Sequence, residues 1–206
     1  MESLSHFFLD YYSGMAWYNI ALEAVAFFFG IASVWFAKKE NILVYPVGLI
    51  ATAITAWLFY TAGYLGDMLV NGYYTVISFY GWYRWHKGKV GQDLPITKTN
   101  DKEKITGALL FFATIVVIFT LYKITDHPIA TDNWIDIFLS GMFFTAMWYM
   151  ALKKIENWAL WIVGDIIAVP LYAYRGLGML SLQYVFFTIL AIAAYVSWRK
   201  SLNNSR

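Results

Sequence analysis

Seven stretches of the chain are long and apolar enough to cross a bilayer as helices, roughly 17–37, 42–62, 66–86, 104–123, 134–152, 157–175 and 178–198. A helical crossing takes about 20 such residues. Short turns such as Lys38-Lys39-Glu40-Asn41 and Lys153-Lys154-Ile155-Glu156 separate neighbouring stretches and imply antiparallel packing. The long polar insertion runs from His86 to Lys104, and His6 to Tyr12 has the composition of a short interfacial helix. The pattern predicts an all-α integral membrane protein of seven transmembrane helices, a single transmembrane domain over residues 1–206.

Inside the spans the polar and aromatic positions form stripes. On the sixth, Trp158, Trp161, Asp165, Ala168 and Tyr172 recur every three or four residues; on the seventh, Tyr184, Thr188, Ala191, Tyr195 and Trp198 do the same. The third carries Asn71, Thr75, Ser78, Trp82 and Trp85, the same stripe 113 residues earlier. Glu23 and Trp35 likewise precede Asp136 and Trp148 by 113, while Glu40-Asn41 and Gly48 precede Glu156-Asn157 and Gly164 by 116. These matches predict a 3+1+3 parallel repeat: 17–86 as the first three-helix unit, 104–123 as a connecting helix facing lipid, and 134–198 as the second unit. Pro170 predicts a kink in the sixth span, and Gly48, Gly164 and Gly176 are candidate flex points.

Composition agrees with the membrane reading. Of 206 residues 60% are hydrophobic and 14% charged, against about 25% charged in soluble domains; mean hydropathy is +0.54. There is no cysteine, which excludes thiolate metal sites, cysteine nucleophiles and disulfides. The histidines at 6, 86 and 127 are too scattered for a metal cluster, so no metal and no cofactor are expected. Met1 to Asp10 lacks a basic region, so no cleavable signal is expected there. With the N-terminus outside, 13 of the 15 Lys and Arg fall on inner segments, and Lys123 and Arg175 fall outside. By the positive-inside rule the N-terminus is outside and the C-terminus cytoplasmic.

Asp165 is the most informative residue, a carboxylate mid-span with no Lys or Arg at i±3 or i±4. At bilayer depth it costs roughly 2.5–3.5 kcal/mol on insertion scales, so it is expected to face a cavity and a cation or hydrogen-bond donor. Trp161, one turn away, offers a face that attracts organic cations. The stripes converge on a pathway through the bundle, and the substrate-binding candidates are Trp161, Asp165, Asn157, Gln183, Tyr184, Thr188, Asn71, Thr75, Ser78, Glu23 and Asp136. Glu23 and Asp136 lie near the outer boundary and read equally well as solvated carboxylates. Trp82, Trp85, Trp148 and Trp198, near span ends, read first as interfacial anchors.

Tyr80-Gly81-Trp82-Tyr83-Arg84-Trp85 and Glu156-Asn157-Trp158-Ala159-Leu160-Trp161-Ile162-Val163-Gly164-Asp165 resemble the motif segments of the PnuC family of vitamin transporters. The resemblance continues through Tyr174-Arg175-Gly176-Leu177-Gly178 and Ser181-Leu182-Gln183-Tyr184 to Trp198. It implies a SWEET-like architecture in a bacterial inner membrane. The implied activity is facilitated diffusion of an unphosphorylated vitamin, with trapping by cytoplasmic phosphorylation. Nicotinamide riboside members carry Trp-x-x-x-Asn where this chain has Trp161-Ile162-Val163-Gly164-Asp165. An ionised Asp presents acceptors only, which favours thiamine, as in the PnuT branch, then nicotinamide riboside, then riboflavin.

The expected partners are a small-molecule vitamin and the lipid bilayer, with no nucleic acid; a homo-oligomer stays open. An enzyme is not expected, because the sequence has neither His-Glu-x-x-His nor Cys. A proton-coupled carrier is the competing transport class.

Overall fold

The computed structural model describes residues 15–62, 65–87, 94–124, 129 and 131–204. The interfacial helix expected at His6 to Tyr12 lies outside them. Seven helices occur among the described residues: α1 (Trp17–Lys38), α2 (Val44–Ala62), α3 (Leu65–His86), α4 (Asp101–Ile124), α5 (Thr131–Ala151), α6 (Glu156–Tyr174) and α7 (Gly178–Asn204). Five of these, α1, α2, α4, α5 and α7, contain stretches long and apolar enough to cross a membrane. The other two, α3 and α6, carry Asp67, Asn71 and Arg84, and Glu156, Asn157 and Asp165. Those polar side chains lower their hydropathy, and several of them face the interior.

Local chemistry sets the helix ends. At the start of α4, Asn100 and Glu103 cap each other: the Asn100 amide donates to Glu103 Oε2 (2.8 Å) and the Glu103 amide to Asn100 Oδ1 (2.9 Å). That reciprocal cap begins α4 at Asp101, ahead of the apolar stretch. Between α1 and α2 the chain turns through Glu40 at φ 56°, and between α5 and α6 through Lys153 at φ 52°. These two left-handed residues are 113 apart, so the turns match in that register and not at 116. The stretch before α4 is tied beneath the second turn. The Thr97 amide donates to Lys153 O (3.1 Å), Ile155 N to Thr97 O (3.0 Å) and Thr99 N to Glu156 Oε2 (3.0 Å).

Six helices close a ring in the order α1, α2, α3, α5, α6, α7 and back to α1, with α4 outside it against α5. Small residues bring α4 close. A Cβ at Gly107 would meet the Tyr149 hydroxyl, and Thr145 donates to Gly107 O (3.2 Å). Ile105, Leu109, Phe112, Val116 and Val117 are exposed along its outer side, an apolar face.

One end of the ring is filled by four rings. Tyr45 meets Trp85 edge-on (5.2 Å, 88°) and Trp158 meets Trp198 edge-on (5.3 Å, 89°), while Trp85 and Trp198 lie 6.2 Å apart. Trp198 is wholly buried and donates to Ala37 O (3.0 Å). Trp85 and Trp198 therefore do not serve as interfacial anchors: α1, α2, α3, α6 and α7 converge there and bury them. Lys153, also buried, pairs with Glu40 (3.3 Å) and lies over the Trp85 ring (4.5 Å). Two of the glycines read as flex points are close-approach positions instead. Gly164 receives the Phe143 ring and Gly48 the Ser33 hydroxyl, whereas Gly176 does adopt φ 74°. Gly81 of the Tyr80-Gly81-Trp82 motif is similarly required, because a Cβ there would overlap the Tyr45 ring.

Candidate functional site: a central cavity with an unpartnered carboxylate

A cavity of about 170 Å³ lies within the ring, lined from all six of its helices. Trp158, Trp161, Asp165 and Tyr172 reach it from one face of α6, as the three-to-four spacing requires. Of the sequence-predicted residues, Trp161, Asp165, Gln183, Tyr184, Asn71, Ser78 and Asp136 line it.

Four do not. Thr75 is held by Thr52 (2.9 Å) and Asn71 O (3.0 Å), and Thr188 donates to Tyr184 O (2.8 Å). Asn157 is buried beside the aromatic plug and donates to Lys154 O (2.5 Å). Glu23 is half-buried on α1, away from the lining.

Aromatic side chains build one wall. Trp161 stacks on Phe143 (5.3 Å, 24°), Phe143 on Tyr184 (6.0 Å, 12°) and Tyr184 on Tyr172 (5.1 Å, 7°). Tyr74 of α3 meets Trp161 edge-on (5.8 Å, 61°). Asp165, 1% exposed, stands one turn along α6 from Trp161, and its Oδ1 has no hydrogen-bond partner among the described residues. The Tyr74 hydroxyl and the Trp161 indole N–H on this wall are also buried and unpaired. Each such group costs about 1–3 kcal/mol, more when charged. Several together on one cavity wall make a ligand-satisfied arrangement the economical explanation.

The aromatic column ends at a charged cluster. Tyr172 donates to Asp67 Oδ1 (2.8 Å), and Arg175 lies over the Tyr172 ring (5.8 Å). Arg175 binds Asp132 through Nε (2.9 Å) and approaches Asp67 (3.8 Å) and Asp136 (3.7 Å). Asp136 is thus 4% exposed and packed beside a guanidinium, not solvated at an interface. Sequence reasoning missed Asp67, Arg175, Tyr74 and Phe143. Asp67 stands at the start of the 66–86 span, where a carboxylate carries no signal of its own, and the others join the site through contacts between distant helices, which no local spacing encodes.

No group of three or more His, Asp or Glu suited to a metal occurs among the described residues. The arrangement suits binding and passage of a flat organic cation: ring faces to stack on, an anionic group beside them, and donors to orient polar substituents.

The family model described as nicotinamide mononucleotide transporter matches residues 20–200. The nicotinamide riboside transporter PnuC of Escherichia coli (strain K12) is 24% identical over 222 residues, covering 91% of this chain and 89% of that protein. The protein of the same name from Neisseria mucosa is 29% identical, covering 87% and 72%. The crystal structure of the vitamin B3 transporter PnuC matches with a TM-score of 0.72 at 25% identity, covering 90% of this chain and 83% of that chain.

Proposed function

The chain belongs to the nicotinamide mononucleotide transporter family, the PnuC vitamin transporters, and from that premise we propose that it passes a flat, cationic, unphosphorylated vitamin through its central cavity. It is a transporter and not an enzyme. Nicotinamide riboside is the first substrate, as the names of the matched relatives favour. The observation that carries the reading is the unpartnered carboxylate of Asp165 beside the stacked face of Trp161. A pyridinium ring on that wall gains both the π-face and the charge.

Thiamine is the second reading, and Asp165 is the observation that favours it. A carboxylate accepts from an aminopyrimidine, whereas an Asn also donates to a carboxamide. This reverses the order drawn from the sequence, because the matched relatives are named for nicotinamide riboside.

In our reading all seven helices cross the membrane with the N-terminus outside and the C-terminus in the cytoplasm of a bacterial inner membrane. The ring order supports a 3+1+3 parallel repeat, since exchanging α1–α3 with α5–α7 leaves every neighbour relation within the ring intact. Transport is facilitated diffusion, made unidirectional by phosphorylation inside the cell. The test is titration of the purified protein with nicotinamide riboside, thiamine and riboflavin, alongside Asp165→Asn. The variant is expected to shift the thiamine-to-nicotinamide riboside affinity ratio about tenfold toward nicotinamide riboside, about 1.4 kcal/mol. An unchanged ratio removes Asp165 from the choice between them. Uptake into vesicles that occurs only under an imposed proton gradient would replace facilitated diffusion with proton coupling.

A further inference from the structure

We propose that Tyr74 is a specificity-determining residue of the cavity, its hydroxyl donating to an oxygen acceptor on the vitamin whose ring packs against Trp161. The inference rests on the reading of the cavity as a vitamin site and names a contact within it.

Tyr74 comes from α3 and joins the wall formed by the α6 stripe, its ring edge meeting Trp161 at 5.8 Å. Its hydroxyl is buried and has no hydrogen-bond partner among the described residues. Tyr45, in the four-ring plug, shares that state, but three other phenols of the molecule show that the fold can satisfy such a group. Tyr73, the next residue back, donates to Phe144 O (3.3 Å), Tyr149 to Glu103 O (3.2 Å) and Tyr172 to Asp67 (2.8 Å). Tyr74 is left unsatisfied on the same wall as Asp165, where a carboxylate supplies acceptors only. A ligand with a carboxamide or hydroxyl oxygen needs a donor as well, and the phenol supplies it.

The position 113 residues on also lines the cavity and is Phe187, which packs edge-on against Tyr184 (5.9 Å) with no hydroxyl. An aromatic ring alone therefore serves packing at that place. The hydroxyl of Tyr74 adds only polarity, and a group that costs stability in the empty protein is kept where bound substrate satisfies it.

The experiment compares wild type with Tyr74→Phe, which removes one oxygen and keeps the ring. Affinities for nicotinamide riboside, thiamine and riboflavin are measured by titration, and the melting temperature of each unliganded protein is recorded. The expected result is at least a fivefold loss of affinity for the vitamin that wild type binds best, with the unliganded melting temperature unchanged or higher. Unchanged affinity overturns the inference. A loss of affinity accompanied by a lower unliganded melting temperature assigns the hydroxyl to packing and overturns it too. Wild-type protein that binds none of the three removes the reading beneath the inference and overturns both. Binding that survives Tyr74→Phe but falls in Asp165→Thr overturns this inference alone.

Discussion

Residues 17–86 and 134–198 are alike where they close the cavity and unlike where they face its contents. At the closed end, positions 113 apart do equivalent jobs. Tyr45 and Trp85 pair at 5.2 Å and Trp158 and Trp198 at 5.3 Å, both nearly perpendicular, and the two left-handed turn residues, Glu40 and Lys153, bind each other. Further along the same helices the matching positions diverge. Asp165 answers to Thr52, Trp161 to Gly48, Tyr184 to Asn71, and Tyr74 to Phe187. The wall around Asp165 is thus one-sided: α6 brings Asp165 and Trp161 and α7 brings Tyr184 where α2 and α3 have Thr52, Gly48 and Asn71, while α3 adds Tyr74 and, toward the charged cluster, Asp67.

The largest expected effect strikes the shared frame. Trp198→Ala removes a wholly buried indole, its contact with Trp158 and its bond to Ala37 O. It should cost about 3–5 kcal/mol of stability, read as melting temperature or detergent tolerance. A variant as stable as wild type would mean that the four-ring plug does not hold the two halves together.

Next comes the pair that joins the halves. Lys153→Glu puts a second carboxylate against the half-exposed Glu40 and removes a buried cation from the Trp85 ring; with Glu40 partly screened by solvent it should cost about 1–3 kcal/mol. Adding Glu40→Lys should restore most of the loss, because both turns have the same left-handed backbone. Failure of the double variant to recover would show that the two turns are not interchangeable. Gly81→Ala drives a methyl into the Tyr45 ring and should cost about 1–3 kcal/mol, whereas Val116→Ala on the exposed side of α4 should change little.

How much of this the sequence discloses follows the range of the interactions. The seven helices were legible because apolar run length is local. The bounds differ mainly at α4, which starts at Asp101 on a capping box, at α5, which starts at Thr131, and at α7, which continues to Asn204 through Arg199 and Lys200. The α6 stripe was legible because helical spacing puts Trp161, Asp165 and Tyr172 on one face. Burial of Trp85, Trp198 and Asp136 was not, since it depends on helices far apart in sequence. Nor was the unpaired state of the Tyr74 hydroxyl, which only the packed α3 and α6 reveal.

The most direct measurement makes the second half of the site like the first. Purified wild type and Asp165→Thr, carrying the residue found at the matching place in α2, are titrated with nicotinamide riboside, thiamine and riboflavin. Wild type is expected to prefer a cationic vitamin, nicotinamide riboside foremost. The variant should lose at least tenfold in affinity for it, about 1.4 kcal/mol, with little change for riboflavin. Equal affinity of both proteins for the cationic vitamin would contradict the role assigned to the carboxylate.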